Sequence, residues 1–325
     1  MQMTMIEALN SALALELERD KKVVVLGQDI GVNGGVFRVT EHLQKKFGET
    51  RVFDTPLSES AIIGSSVGMA VYGLHPIAEI QFAGFLFVCM NQLVSQAARI
   101  RFRSAGAFTC PLVVRAPYGG GVRTPELHSD SLEGIFLQAP GFKIVIPSNP
   151  YDAKGLLASA VQDPDPVLFL ENIKLYRSFR QDTPEDYYTL PLGKANVVQE
   201  GSDVSIFAYG AMVNVALEAA KKAQQEMGTS AEVIDLRTVW PLDEDAIASS
   251  VEKTGRAIIV HEAPRAGGIG AEITAIINER VFYSLLKPIE RVTGYDTPYP
   301  VPGQEDYYLP TPAKVFDAIQ RVMEP

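Results

Sequence analysis

Short runs of β-branched and aliphatic residues alternate with helix-length amphipathic stretches along this chain of 325 residues. No other feature constrains the fold as strongly. Val23-Val24-Val25-Leu26, closed by Gly27, is apolar at every position rather than at every second one. A strand of that kind is buried on both faces, as in a parallel sheet. The same signature places strands at 51–54, 76–82, 112–116, 143–146 and 167–171. Met5, Ile6, Leu9, Leu13 and Leu17 share one helix face, which predicts a helix over 4–19. Further helices are expected at 59–72, 85–103, 130–138 and 150–161. Such alternation needs crossovers that lay helices on both faces of a mostly parallel sheet.

Residues 174–200 break the pattern. This stretch is charged, rich in Tyr and Pro, and without steady periodicity, so it reads as a crossover between two units. A second α/β block follows. Strands are expected at 204–209, 232–236, 257–261 and 290–293, and helices at 213–227, 243–254 and 269–282. Asp243 is placed to cap its helix, and a last helix starts near Pro312. The expected organisation is residues 1–185, a linker at 186–200, and residues 201–325, two three-layer α/β domains in all.

Composition narrows the function. Lys plus Arg is 29 against 39 for Asp plus Glu, a net charge of −10. Nucleic-acid binders concentrate basic residues on one face, so no nucleic-acid partner is expected. The longest strongly apolar stretch, 82–90, is far short of the ~20 residues of a membrane helix. The amino terminus does not resemble a secretory signal. A soluble, cytoplasmic protein with no membrane partner is expected. Cys89 and Cys110, the only cysteines, sit among apolar residues and read as inert buried thiols.

Several places have chemical potential. Gly31–Gly35 lacks the order of a phosphate loop and reads as a flexible loop. Gly267-Gly268-Ile269-Gly270 follows a strand and opens a helix, the context of a dinucleotide loop. Ile273 stands where the third glycine belongs, so close packing is the simpler reading. Gly119-Gly120-Gly121 lies where a parallel strand meets a loop, a common place for ligand sites, and leads on to His128. That histidine reads as a proton donor near neutral pH or as a loop residue satisfied by Ser129 or Asp130. Gly64 and Gly68 lie four apart on one helix, which implies another backbone packed closely. Glu59 opens that helix, where the helix dipole favours a carboxylate. It reads as a capping acid or as the acid of a buried site. His261 ends a strand, and His-Glu-Ala-Pro-Arg lacks the second histidine of a zinc helix. Arg99, Arg101 and Arg103 read as a solvated helix end.

Taken together, DTPLSES, EIQFAGF, GGGVRTPELHSDSLEG, PSNPYDAKGLL, DPVLFLEN, DLRTVWPLD, EKTGRAIIVHEA and GYDTPYP are recognisable by their number, order and spacing. Over essentially its whole length the chain resembles the β subunits of the thiamine-diphosphate-dependent decarboxylating component of 2-oxo acid dehydrogenase complexes. The family pattern after the cofactor acid is met by Glu59, Gly64, Gly68 and Met69. Ser65 replaces a hydrophobic residue there.

The resemblance implies a transketolase-like fold, a pyrimidine-binding domain followed by a transketolase C-terminal domain. It also implies that Glu59 hydrogen-bonds the pyrimidine N1′ of thiamine diphosphate, favouring the imino tautomer whose N4′ takes the thiazolium proton. Phe85 packs on the aminopyrimidine, with Leu57 and Gln81 beside it. His128 acts as proton donor or oxyanion partner in acyl transfer to a lipoyl group. A potassium ion is implied at Leu112, Ala160, Val161, Asp163 and Asp165, mostly through backbone carbonyls. The Gly-Asp-Gly segment that holds the diphosphate and its magnesium in this superfamily is absent. An α subunit is therefore implied to supply that half of the site, in an α2β2 heterotetramer served by a lipoyl-bearing acyltransferase core. The expected enzyme is a lipoyl-acylating 2-oxo acid dehydrogenase, with pyruvate favoured over branched-chain 2-oxo acids or acetoin. A nucleotide-binding oxidoreductase using Gly267–Gly270 and a non-catalytic assembly subunit are the rival readings.

Overall fold

The computed structural model describes residues 1–324. Its first half runs β1 (Gln2–Met3), α1 (Met5–Arg19), β2 (Val23–Gly27), α2 (Leu43–Phe47), β3 (Val52–Asp54), α3 (Glu59–Tyr72), β4 (His75–Glu79), α4 (Ile100–Arg103), β5 (Val113–Tyr118), α5 (Glu133–Phe136), β6 (Lys143–Val145), α6 (Pro150–Gln162), β7 (Val167–Asn172) and β8 (Gln181–Asp182). The second half runs β9 (Asn196–Gln199), β10 (Val204–Ala208), α7 (Ala211–Met227), β11 (Ala231–Asp235), β12 (Thr238–Trp240), α8 (Glu244–Thr254), β13 (Ala257–Pro264), α9 (Ile269–Val281), β14 (Glu290–Gly294), α10 (Glu305–Tyr308) and α11 (Pro312–Met323).

Two sheets organise the molecule. Seven strands lie in the order β12-β6-β7-β5-β4-β2-β3, and all neighbours are parallel except β12 against β6. Five strands lie in the order β14-β13-β10-β11-β9, with only β9 antiparallel. Side chains alternate across each strand, so each sheet divides two cores. Val113 and Val167 point to the side of α1 and α6; Val114 and Leu168 point to the side of α3. In the second sheet Val204 and Ile206 share a core with α7 and α11, and Phe207 with α8 and α9. Both cores continue from one sheet to the other. Helix starts follow the expected chemistry: Thr4 and Glu7 close a capping box, and the Asp243 side chain accepts from the Ala246 N–H at 3.4 Å.

Four details differ from the sequence reading. The stretch 186–200, expected as a linker, contains β9, which pairs with β11. β12, from the second block, is the edge strand of the first sheet. The helix expected at 85–103 is a succession of turns: a 3-10 segment at Ala83–Cys89, a π turn at Asn91–Gln96, a second 3-10 turn at Ala97–Arg99, then α4. Ala83, Leu86 and Cys89 are buried while Phe87 and Val88 are exposed. A buried residue at every third position matches the three-residue turn of a 3-10 helix rather than the α period. The helix expected at 130–138 shortens to α5.

Candidate active site

The first sheet reverses its strand order between β2 and β4: β3 lies outside β2, whereas β5 and β7 extend the other way. Ligand sites in open α/β sheets form at the carboxyl ends of the strands at such a switch point. Here those ends carry Gln28 and Asp29 after β2, Gln81 and Phe82 after β4, and the Gly119–His128 loop after β5. Glu59, the first residue of α3, is buried among them and accepts a hydrogen bond from Gln28 Nε2 at 3.4 Å. Gln81 Nε2 donates to Asp29 Oδ2 at 3.1 Å. The Ser60 hydroxyl donates to the Val88 carbonyl at 2.7 Å, tying the start of α3 to the 3-10 segment. That segment carries Phe85 and Cys89. Burial, helped by the nearby Glu59 carboxylate, pushes the Cys89 thiol up to about 12. Burial does the same to Cys110. Both thiols stay protonated and inert, as expected.

His128 sits in a short helical turn at Glu126–His128. Its ring meets Phe82 edge-on at 4.3 Å between centroids and Phe85 at 5.4 Å. His128 Nδ1 is buried and has no hydrogen-bond partner among the described residues. Neither Ser129 nor Asp130 satisfies it: the Ser129 hydroxyl pairs with Thr124, and the Asp130 carbonyl accepts from the Gly119 N–H at 3.5 Å. The approach of this turn to Phe85 depends on Gly84, because a Cβ there would collide with the Leu127 carbonyl.

The structure thus brings Phe85 and His128 together, and places Glu59 and Gln81 on neighbouring residues of one loop, Gln28 and Asp29. Leu57 stands just outside and is 81% exposed. The positions implied for potassium lie elsewhere, where the start of β5 meets the end of α6. There Leu112 O accepts from Val167 N at 2.9 Å and Ala160 O from Asp163 N at 3.3 Å. Lys143 and Arg101 pair with Asp163 and Asp165 at 2.8 and 2.6 Å.

Phe82 makes the closer ring contact to His128, and the sequence alone does not single it out. Sequence reading also misses what lies behind the glycine loop. Gly120 N–H donates to Glu262 Oε2 at 2.9 Å, and Gly121 and Arg123 N–H donate to the two oxygens of Glu305 at 2.8 and 3.1 Å. Burial pushes the Glu262 carboxyl up to about 7. These acids lie more than 140 residues away in sequence, so no local pattern announces them. Deeper in the first sheet, Arg115 is fully buried between Glu79 at 2.8 Å and Glu171 at 2.7 Å.

Gly267–Gly270 has the simpler of its two readings. A Cβ on Gly268 or Gly270 would stand 2.7 or 2.8 Å from the His261 ring. The missing side chains at these two positions make room for the imidazole. Burial pushes this histidine down to about 4, so it is neutral, with Nδ1 3.0 Å from the Ala263 carbonyl oxygen.

Comparison with known proteins agrees with the two-sheet architecture. Residues 1–178 match the family model of the transketolase pyrimidine binding domain, and residues 193–315 that of the transketolase C-terminal domain. The chain is 56% identical over 323 residues to the pyruvate dehydrogenase E1 component subunit beta of Bacillus subtilis (strain 168), and 54% identical over 323 residues to that of Staphylococcus aureus (strain N315). In both cases 99% of each chain is covered. A split-gene transketolase solved as an inactive β4 tetramer shares the fold, with TM-score 0.82 at 22% identity over 99% of this chain and 98% of that one. The chain belongs to the family of pyruvate dehydrogenase E1 component β subunits, built from a transketolase pyrimidine-binding domain and a transketolase C-terminal domain.

Proposed function

We propose that this chain, together with an α subunit, carries out thiamine-diphosphate-dependent oxidative decarboxylation of pyruvate and passes the acyl group to a lipoyl group of an acyltransferase core. The observation that carries the proposal is Glu59. It is a buried carboxylate at a helix N-terminus at the switch point, and its one side-chain hydrogen bond among the described residues is long. It therefore keeps an oxygen free to share a proton with a ring nitrogen. When bound, the cofactor supplies the electron sink for loss of CO2. The chain's residues hold and orient it: Glu59 takes the pyrimidine nitrogen, Phe85 the ring face, and Leu57 and Gln81 its edge. His128 offers an unpartnered ring nitrogen for proton transfer during acyl transfer.

The fit covers only half a cofactor. Among the described residues no group of three or more His, Cys, Asp or Glu could hold a metal ion, and the chain has no Gly-Asp-Gly. The diphosphate and its magnesium are assigned to the α subunit in an α2β2 assembly. The pyrimidine-binding unit is assigned to residues up to about 185, and the second unit takes over from β9.

The test uses the assembled enzyme. Glu59→Gln is expected to lower CO2 release ~10²–10⁴-fold without dissociating the subunits; turnover near wild type refutes the proposal. His128→Ala is expected to impair lipoyl acylation more than decarboxylation with an artificial electron acceptor.

The turn after α6 is assigned a potassium ion. The acid side chains there are paired with Lys143 and Arg101, so the donors are mostly the backbone carbonyls of Leu112, Ala160, Val161, Asp163 and Asp165. Neutral oxygens suit a singly charged ion better than magnesium or calcium, which draw on carboxylates. Replacing potassium by choline at equal ionic strength is expected to lower Tm by a few degrees.

A further inference from the structure

We propose that Glu262 and Glu305, two buried acids of the C-terminal domain, are positioning residues that hold the loop carrying His128. The inference rests on the role given to His128 above. The loop leaves β5 at Tyr118 and returns at Asp130, and its near end is gripped through peptide groups. Glu262 takes the Gly120 N–H and, through its other oxygen, the Asn172 amide at 2.7 Å. Glu305 takes the Gly121 and Arg123 N–H groups, and the Tyr299 hydroxyl at 2.7 Å. The two carboxylates are 4% and 2% exposed.

Their hydrogen-bond partners are peptide N–H groups, an amide and a phenol. Burying carboxylates on such partners costs more than an apolar filling would. What they provide is geometry: successive N–H groups are held by acceptors fixed in a second domain. The backbone at Gly119, Gly121 and Arg123 has φ of +84°, +91° and +57°. That conformation aims the N–H groups at the acids. The far end of the loop is set by Leu127 on Gly84 and by His128 on Phe82 and Phe85. The His128 ring is thus placed between the two domains rather than by its own element, a single turn of 3-10 helix.

Glutamine at either position keeps the shape but turns one acceptor into a donor facing a donor. In the assembled enzyme, Glu262→Gln and Glu305→Gln are expected to speed hydrogen exchange at Gly120, Gly121 and Arg123 roughly 10–100-fold, the size of a lost hydrogen bond to a charged group. Lipoyl acylation is expected to fall ~10–100-fold further than decarboxylation with an artificial acceptor, as a displaced catalytic group predicts. Asp306→Asn, whose carboxylate pairs with the exposed Arg123 side chain, is the control. Unchanged exchange at the three amides, or an equal fall in both half-reactions, overturns the inference. If the glutamine variants do not assemble, Tyr299→Phe releases one bond to Glu305. It is read the same way, with a ~3–10-fold rise in exchange expected. Should His128→Ala itself depress both half-reactions equally, the role of His128 falls. Exchange at the three amides still decides whether the acids hold the loop.

Discussion

The molecule has two glycine clusters that look alike in sequence and differ in purpose. Gly119–Gly121 and Gly267–Gly270 each follow a strand, and each gives up side chains where another group must come close. At the first, the Asn172 amide, the Tyr299 phenol and the Lys174 stem come close, Glu262 and Glu305 collect the peptide N–H bonds, and the far end of the loop carries His128. At the second, the neutral His261 ring stands against Gly268 and Gly270, while Gly267 faces open space. Glycine after a strand therefore signals close approach; what approaches decides whether the place is a site or a piece of core.

The sharpest way to break this contrast is Gly120→Ala. The new methyl would fall on the Tyr299 phenol, between domains that meet there. Destabilisation of about 3 kcal/mol, read as a lower Tm, and loss of lipoyl acylation are expected.

The two loops also carry opposite pH signatures. Glu262, surrounded by Tyr118, Glu133 and Lys174, holds its proton more tightly folded than unfolded. Its contribution is full below pH 4.5 and is lost as pH rises through about 7. His261, near Arg265 and Arg291, is depressed. Its contribution is full above pH 6.5 and is lost as pH falls through about 4. Tm profiles should show wild type weakening against Glu262→Gln as pH rises, and against His261→Asn as pH falls. Each difference should reach about 3 kcal/mol across its window. Profiles of the same sign would dissolve the comparison.

Gly270→Ala should cost about 1–2 kcal/mol through the imidazole contact and leave both half-reactions unchanged at permissive temperature. The exposed Arg123–Asp306 pair should contribute least, about 0.5 kcal/mol in a double-mutant cycle.

Most of the fold is legible in the sequence because the strands are marked by burial on both faces. Val23–Gly27 and Val167–Asn172 each sit among apolar neighbours that no loop would tolerate. The candidate site is legible where one residue carries its own context, as Glu59 does at a helix start and His128 in a glycine-led loop. β9 and β12 escape because they are edge strands of three or four residues, stabilised by partners distant in sequence. Phe82 escapes because a single aromatic after a strand looks like core. Glu262 and Glu305 escape because an acid reveals a buried role only through what it touches. The 83–103 stretch misleads because its apolar run suits several helical periods, and only burial at every third residue selects among them.

β12 has a consequence for how the protein is made. The outer edge of the first sheet is completed by Thr238–Trp240, which are synthesised well after the six strands they join. Until that segment leaves the ribosome, β6 presents unpaired backbone groups, an invitation to strand addition by another chain. A fragment stopped in the crossover near residue 190 would keep that raw edge permanently. Such a fragment should aggregate rather than fold.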